Sequence, residues 1–134
     1  MRKYIIIVMI GVLSVMLFAG CTKSGKLGTS EINVDYKDVK AIELYDIDGK
    51  KISEFPKEEY SKIISYLNSS KISNDPHILM LTGSIMKIIF NDSSEISFSS
   101  YGSETNCVVS GKYKGKDFNY HLVSPEIAKI LLGK

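Results

Sequence analysis

Cysteine and histidine are scarce in this chain, two of each in 134 residues, and that scarcity excludes most site chemistry. Two cysteines allow at most one disulfide, Cys21 to Cys107, so the fold is not built on a disulfide framework. Asp75 and His77 make half of a metal site at best, and no other ligand pair stands at a recognised spacing. Neither a metal nor another cofactor is expected. The chain also has no glycine-rich phosphate loop, nucleophile elbow, zinc signature or kinase-like motif, and an enzyme is not expected. Charge of one sign is missing as well: 17 Lys and Arg stand against 15 Asp and Glu. A nearly neutral chain gives no reason to expect nucleic acid as a partner.

One long apolar run is present, and it lies at the start. Arg2 and Lys3 precede a charge-free stretch over residues 4–20 rich in Ile, Val, Leu and Met, which ends on Leu17, Phe18, Ala19 and Gly20. A short basic region, an apolar region and a small-residue end are the layout of a secretory signal peptide. A spanning helix would need the full length of the run, and Gly11, Ser14 and Gly20 interrupt it.

The residues that close this run, Ala19, Gly20 and Cys21, resemble the lipobox of bacterial lipoproteins, in which an aliphatic residue and two small residues precede a cysteine. Ala19 and Gly20 match the small positions and Cys21 the acylated one, while Phe18 stands where the family usually has Leu. The resemblance implies cleavage before Cys21, a diacylglyceryl group on its thiol, and a protein held at the extracytoplasmic face of the cell membrane. Two acyl chains, at about 0.8 kcal/mol per buried methylene, anchor a protein where one binds only marginally. The resemblance covers the first 21 residues and implies nothing about the rest of the chain. The abundance of Ile, Lys and Ser fits a Gram-positive source. With Arg2 and Lys3 in the leader, basic and acidic residues balance, and with Cys21 acylated, Cys107 has no intramolecular partner.

Residues 21–35 are expected to form the lipidated N-terminus and a linker. Within it "TKSGKLGTS" is small and polar, with a reach of about 15–18 Å, and the stretch from Glu31 to Tyr36 is a possible edge strand. Residues 36–134 are expected to fold as one small α+β domain, an antiparallel sheet of about six strands with two helices on one face. Asp48-Gly49 between strand-like runs at 39–47 and 50–55 is a hairpin signal, with both turn residues at positive φ. After Pro56, the residues Tyr60, Ile63, Ile64 and Leu67 make one helical face. The segment around Asn74-Asp75-Pro76 is irregular, with Gly83 breaking or bulging a strand. Alternation marks strands at 85–90, 95–101, around Cys107 and at 116–123, where Phe118, Tyr120 and Leu122 point inward and His121 outward. Gly102, Gly111 and Gly115 are expected in turns. "SPEIAKILLGK" carries a Ser124 cap, Pro125 in the first turn and a closing Gly133. A hairpin leading to a proline-started helix therefore occurs twice.

Two functional readings remain open. In the first, the domain is a non-enzymatic accessory, sensing or inhibitory binding module for another cell-envelope protein. Its candidate partner surface comprises Tyr101, Tyr113, His77 and Leu79, with the polar strand face at Ser97 and Ser99. The "DPHILML" stretch is either a docking patch or the start of a core strand. In the second, Cys107, His121, His77 and Asp75 serve a small extracellular enzyme or metal-handling protein. Catalysis then needs Cys107 and His121 on one face, which strand alternation opposes. Cys107 itself reads as a buried thiol or, alternatively, a reactive one.

Overall fold

A computed structural model describes residues 32–73, 82–101 and 103–134. The strands are β1 (Val39–Tyr45), β2 (Lys51–Glu54), β3 (Lys71–Ser73), β4 (Thr82–Phe90), β5 (Glu95–Ser100), β6 (Asn106–Tyr113) and β7 (Lys116–Val123). The helices are α1 (Tyr60–Asn68), entered through a 3-10 turn at Lys57–Glu59, and α2 (Pro125–Leu132). The described strands form one antiparallel sheet in the order β2-β1-β4-β5-β6-β7-β3, an α+β fold. It has seven strands where about six are expected. The added one is β3, three residues pairing with the edge of β7, too short to show an alternation.

Strand alternation sorts the sheet into two faces. Ile42, Met86, Ile88, Ile96, Phe98, Cys107, Val109 and Leu122 face a single core, completed by Tyr60, Ile63, Ile64 and Leu67 of α1 and Ile127 and Leu131 of α2. Both helices thus cover one face. The four α1 residues are the stripe expected from their i, i+3, i+4, i+7 spacing. Among the described residues no helix is long and apolar enough to span a membrane.

The turns differ from expectation in instructive ways. At Asp48-Gly49 only Gly49 has positive φ, at 85°. Asp46 O accepts the Gly49 N–H at 3.1 Å and the Asp46 N–H donates to Lys50 O at 2.9 Å. The connection is therefore a longer loop with one left-handed residue, not the tight two-residue turn. That tight turn occurs instead at Lys114-Gly115, both at positive φ (48° and 75°), between directly paired Tyr113 and Lys116. Gly111 is not in a turn. It lies inside β6 opposite Phe118 and Ile96, where a Cβ would stand 2.2 Å from Glu95 O, so the close approach of two backbones requires glycine. At Gly83 the β4–β5 register shifts, the bulge that its sequence position suggests. The expectations for Gly102 and for the "DPHILML" stretch fall outside the described residues.

The core also recruits residues from before the expected linker boundary at residue 35. Ile32 and Val34 are 5% and 2% exposed and belong to it. Residues 32–35 take no regular secondary structure, and Tyr36–Asp38 form a 3-10 turn leading into β1. The segment is a strap, not an edge strand.

Candidate functional site

Cys21, Asp75, His77 and Leu79 lie outside the described residues. The remaining sequence candidates are distributed over the domain rather than gathered. Cys107 is fully buried on the core face of β6, and burial pushes its thiol up to about 12. It is a small core hydrophobe and not a thiolate at neutral pH. His121 belongs to the other face, since Cys107 pairs with Leu122 and His121 with Val108. The sheet itself separates the two, so no Cys–His dyad forms. Asp117, next to this strand start, is 3.4 Å from Lys112. Among the described residues no three His, Cys, Asp or Glu side chains converge.

The tyrosines part company. Tyr113, expected on a partner surface, is buried at 6% exposure, with its ring 4.4 Å from that of Phe90. Strand alternation across the close-packed Gly111 turns it inward. Its hydroxyl is the centre of a polar network at the Phe90 end of the sheet. It accepts the Asp35 N–H at 3.2 Å and donates to Asp38 Oδ2 at 2.6 Å. Lys114 Nζ reaches the same carboxylate at 2.8 Å. Together the Lys114 ammonium and the Tyr113 hydroxyl hold Asp38 below the usual carboxylate range. Asn91 closes the network, its N–H donating to Asp38 O at 2.9 Å and its side-chain amide to Lys37 O at 3.2 Å. A cleft of about 130 Å³ lies here, lined by Asp38, Phe90, Asn91, Asp92, Tyr113 and Lys114.

A second clamp holds the same strap from the helix side. The Val34 N–H donates to Asn68 Oδ1 at 2.9 Å, and Asn68 Nδ2 donates back to Val34 O at 2.8 Å. A side-chain amide thus pairs with a backbone residue as a neighbouring strand would, at the last residue of α1.

Tyr101 sits at the opposite, Ser100 end. It is half-buried, its ring 6.1 Å from that of His121. The Tyr101 hydroxyl, His121 Nδ1 and Ser124 Oγ are the buried side-chain polar atoms that lack a hydrogen-bond partner among the described residues. Ser124 occupies the expected cap position before Pro125, but its hydroxyl makes no capping bond.

The helix-free face carries a charged chain at the β1–β2 edge. The β1–β2 register shifts at Leu44/Tyr45, and Lys51 Nζ reaches Glu43 at 2.8 Å and Glu54 at 2.9 Å. Glu43 also accepts the Tyr45 hydroxyl. Both contacts pull the Glu43 carboxyl down, Lys51 more than Tyr45, and Glu43 and Glu54 raise Lys51. A bulged, lysine-bearing edge resists pairing with another strand.

Between the helices runs a groove of about 290 Å³ whose lining includes Phe55, Ile63, Tyr66 and Ile130, with Glu59, Lys62, Glu126 and Lys129 also contributing. Sequence reasoning missed it. Its signal in the sequence is Tyr66, which widens the apolar arc of α1 beyond the core stripe; Ile130, expected on the apolar face of α2 with Ile127 and Leu131, is half-buried and lines the same groove.

No family model matches the chain, and neither does any curated protein or solved structure with which it was compared.

Proposed function

We propose that this is a lipoprotein anchored through Cys21 at the extracytoplasmic face of the cell membrane, its domain a non-enzymatic accessory, sensing or inhibitory binding module for another cell-envelope protein. The observation that carries this reading is the sequence "LFAGC" at the end of a basic-then-apolar leader. The fold is compatible with it: the packed domain has begun by Ile32, a short polar stretch beyond Cys21. The non-enzymatic part is supported by the burial of Cys107 and its separation from His121 by the sheet.

Metabolic labelling with an alkyne fatty acid, followed by membrane fractionation, tests the anchor. The wild-type chain is expected to carry label and to sediment with membranes at the size of a chain beginning at Cys21. Cys21→Ala is expected to lose the label and the shorter form together. A Cys21→Ala protein still held at the membrane at mature size ends the lipoprotein reading. Crosslinking from the same membrane fraction then identifies the envelope partner.

A further inference from the structure

The strap over residues 32–38 is far more heavily tied down than a linker end requires. Its two apolar side chains, Ile32 and Val34, enter the core. Its backbone is bonded to three elements distant in sequence: α1 through Asn68, β6 through Tyr113, and the β4–β5 turn through Asn91. Its Asp38 carboxylate adds Lys114 of the β6–β7 turn. Val39 then starts β1 directly, paired with Phe90 of β4, while β2 joins β1 further along, at Glu43, Leu44 and Tyr45. Without these ties, a pull on the N-terminal side of the domain would act on β1 alone and unzip it one ladder bond at a time. With them, the load spreads over a helix, a strand and two turns.

We propose that residues 32–38 are a latch: a separable segment that fixes where the N-terminal tether enters the domain and sets the reach of that tether. Closed, the latch holds residues 35–38 at the Phe90 end of the sheet, with the Ser100 end, Tyr101 and the residue 46–50 hairpin loop at the opposite end of the strands. Open, it withdraws Ile32 and Val34 from the core and lends seven residues to the tether, about 23 Å of extended chain, while β1 and the rest of the core stay in place. The use of the latch to set a distance from a membrane rests on the lipoprotein reading; the latch itself does not.

Native-state trypsin digestion of the full-length chain separates the outcomes. The side chain of Lys37 is exposed, so cleavage there is limited by backbone release and not by access to the side chain. In the wild type, cleavage after Lys23 and Lys26 is expected to be fast and cleavage after Lys37 slow. In Asn68→Ala combined with Tyr113→Phe, cleavage after Lys37 is expected to accelerate about 100-fold, from hydrogen bonds to the strap lost at two sites. The product running from residue 38 is expected to stay intact and to keep its circular dichroism. Tyr113→Phe alone, expected to give about a tenfold acceleration, serves if the double variant does not fold. Wild-type cleavage at Lys37 as fast as at Lys26 overturns the proposal, since no latch then exists. Cleavage of the whole domain in step with Lys37 in Tyr113→Phe also overturns it, since the strap is then an inseparable part of the core. Cys21→Ala is expected to leave these rates unchanged, so failure of the anchor and failure of the latch are read independently.

Discussion

Two tyrosine hydroxyls, each withdrawn from water at an end of the same sheet, are treated in opposite ways. At the Phe90 end Tyr113 accepts one hydrogen bond and donates another, tying the strap to β6. At the Ser100 end the Tyr101 hydroxyl is buried and makes none among the described residues, beside a His121 ring whose Nδ1 is equally without a partner. Burial of a polar group costs about 1–3 kcal/mol when no partner replaces water. At the Phe90 end Tyr113 recovers that cost and fixes the chain path; at the Ser100 end no described residue returns it to Tyr101 or His121. Among the described residues, the tyrosine hydroxyl at the Phe90 end is tied into the fold and the one at the Ser100 end is not.

The matched pair Tyr113→Phe and Tyr101→Phe breaks or sharpens this contrast most directly. Removing the Tyr113 hydroxyl strands the Asp35 N–H and deprives Asp38 of a donor, with an expected loss of about 1.5 kcal/mol in urea unfolding at unchanged m-value. Removing the Tyr101 hydroxyl deletes a group with no hydrogen bond among the described residues, so stability is expected to stay level or rise by up to about 1 kcal/mol. Equal losses in the two variants would mean that Tyr101 has a partner and that the two ends are alike.

Acid gives a second handle on the Phe90 end. Asp38 is held below its ordinary value near 3.8, first by Lys114 and then by Tyr113. A depressed folded value means the ionised form is favoured by folding. Its contribution is complete well above 3.8 and is lost as pH falls through that value toward the lower folded one. Urea midpoints measured from pH 6 down to pH 3 are expected to fall, and Asp38→Asn is expected to flatten part of that fall while lowering stability at pH 6. The effect is smaller than that of Tyr113→Phe, because water screens a pair as exposed as Asp38 and Lys114. An unchanged acid limb in Asp38→Asn would remove this carboxylate from the ties that close the strap.

How far the sequence discloses this arrangement depends on the range of each contact. The stripe Tyr60, Ile63, Ile64 and Leu67, the alternation of Ile96 and Phe98, and the Pro125 and Gly133 borders of α2 are local patterns, and all appear in the structure as the sequence suggests. The strap is not legible because Ile32 and Val34 sit among Asn and Asp, and the segment is held by partners far along the chain, 34 residues from Val34 and 78 from Asp35. Tyr113 is misread because Gly111 reads as a turn residue: the structure carries β6 through it, where a close backbone approach requires glycine, and the alternation from Cys107 and Val109 reaches Tyr113. The Asp48-Gly49 signal correctly marks a hairpin but not its length. Lys114-Gly115 adopts the tighter form with a residue that rarely takes positive φ, and the Lys114 contact with Asp38 offsets part of that strain.

The smallest effect sharpens the comparison at the level of single turns. The β1–β2 loop at the Ser100 end and the β4–β5 loop at the Phe90 end share one bonding pattern. The Gly49 N–H donates to Asp46 O and the Ser93 N–H to Phe90 O, while the Asp46 N–H donates to Lys50 O and the Phe90 N–H to Ser94 O. Each has one left-handed residue at the same place, Gly49 at φ 85° in the first and Ser93 at φ 68° in the second. A side chain in that conformation costs about 1 kcal/mol or more, and glycine avoids it at some cost in unfolded-state entropy. Gly49→Ser is expected to lower stability by about 1 kcal/mol and Ser93→Gly to raise it by about 0.5 kcal/mol in the same urea assay. The Phe90-end turn tolerates the less suitable residue because Asp92 Oδ1 accepts the Ser94 N–H at 2.9 Å and Asn91 is bonded to the strap. Ser93→Gly in the background of Asn91→Ala should therefore gain more than in the wild type, since a turn freed from the strap relies more on its own backbone. Equal gains in the two backgrounds would show that the strap does not hold this turn.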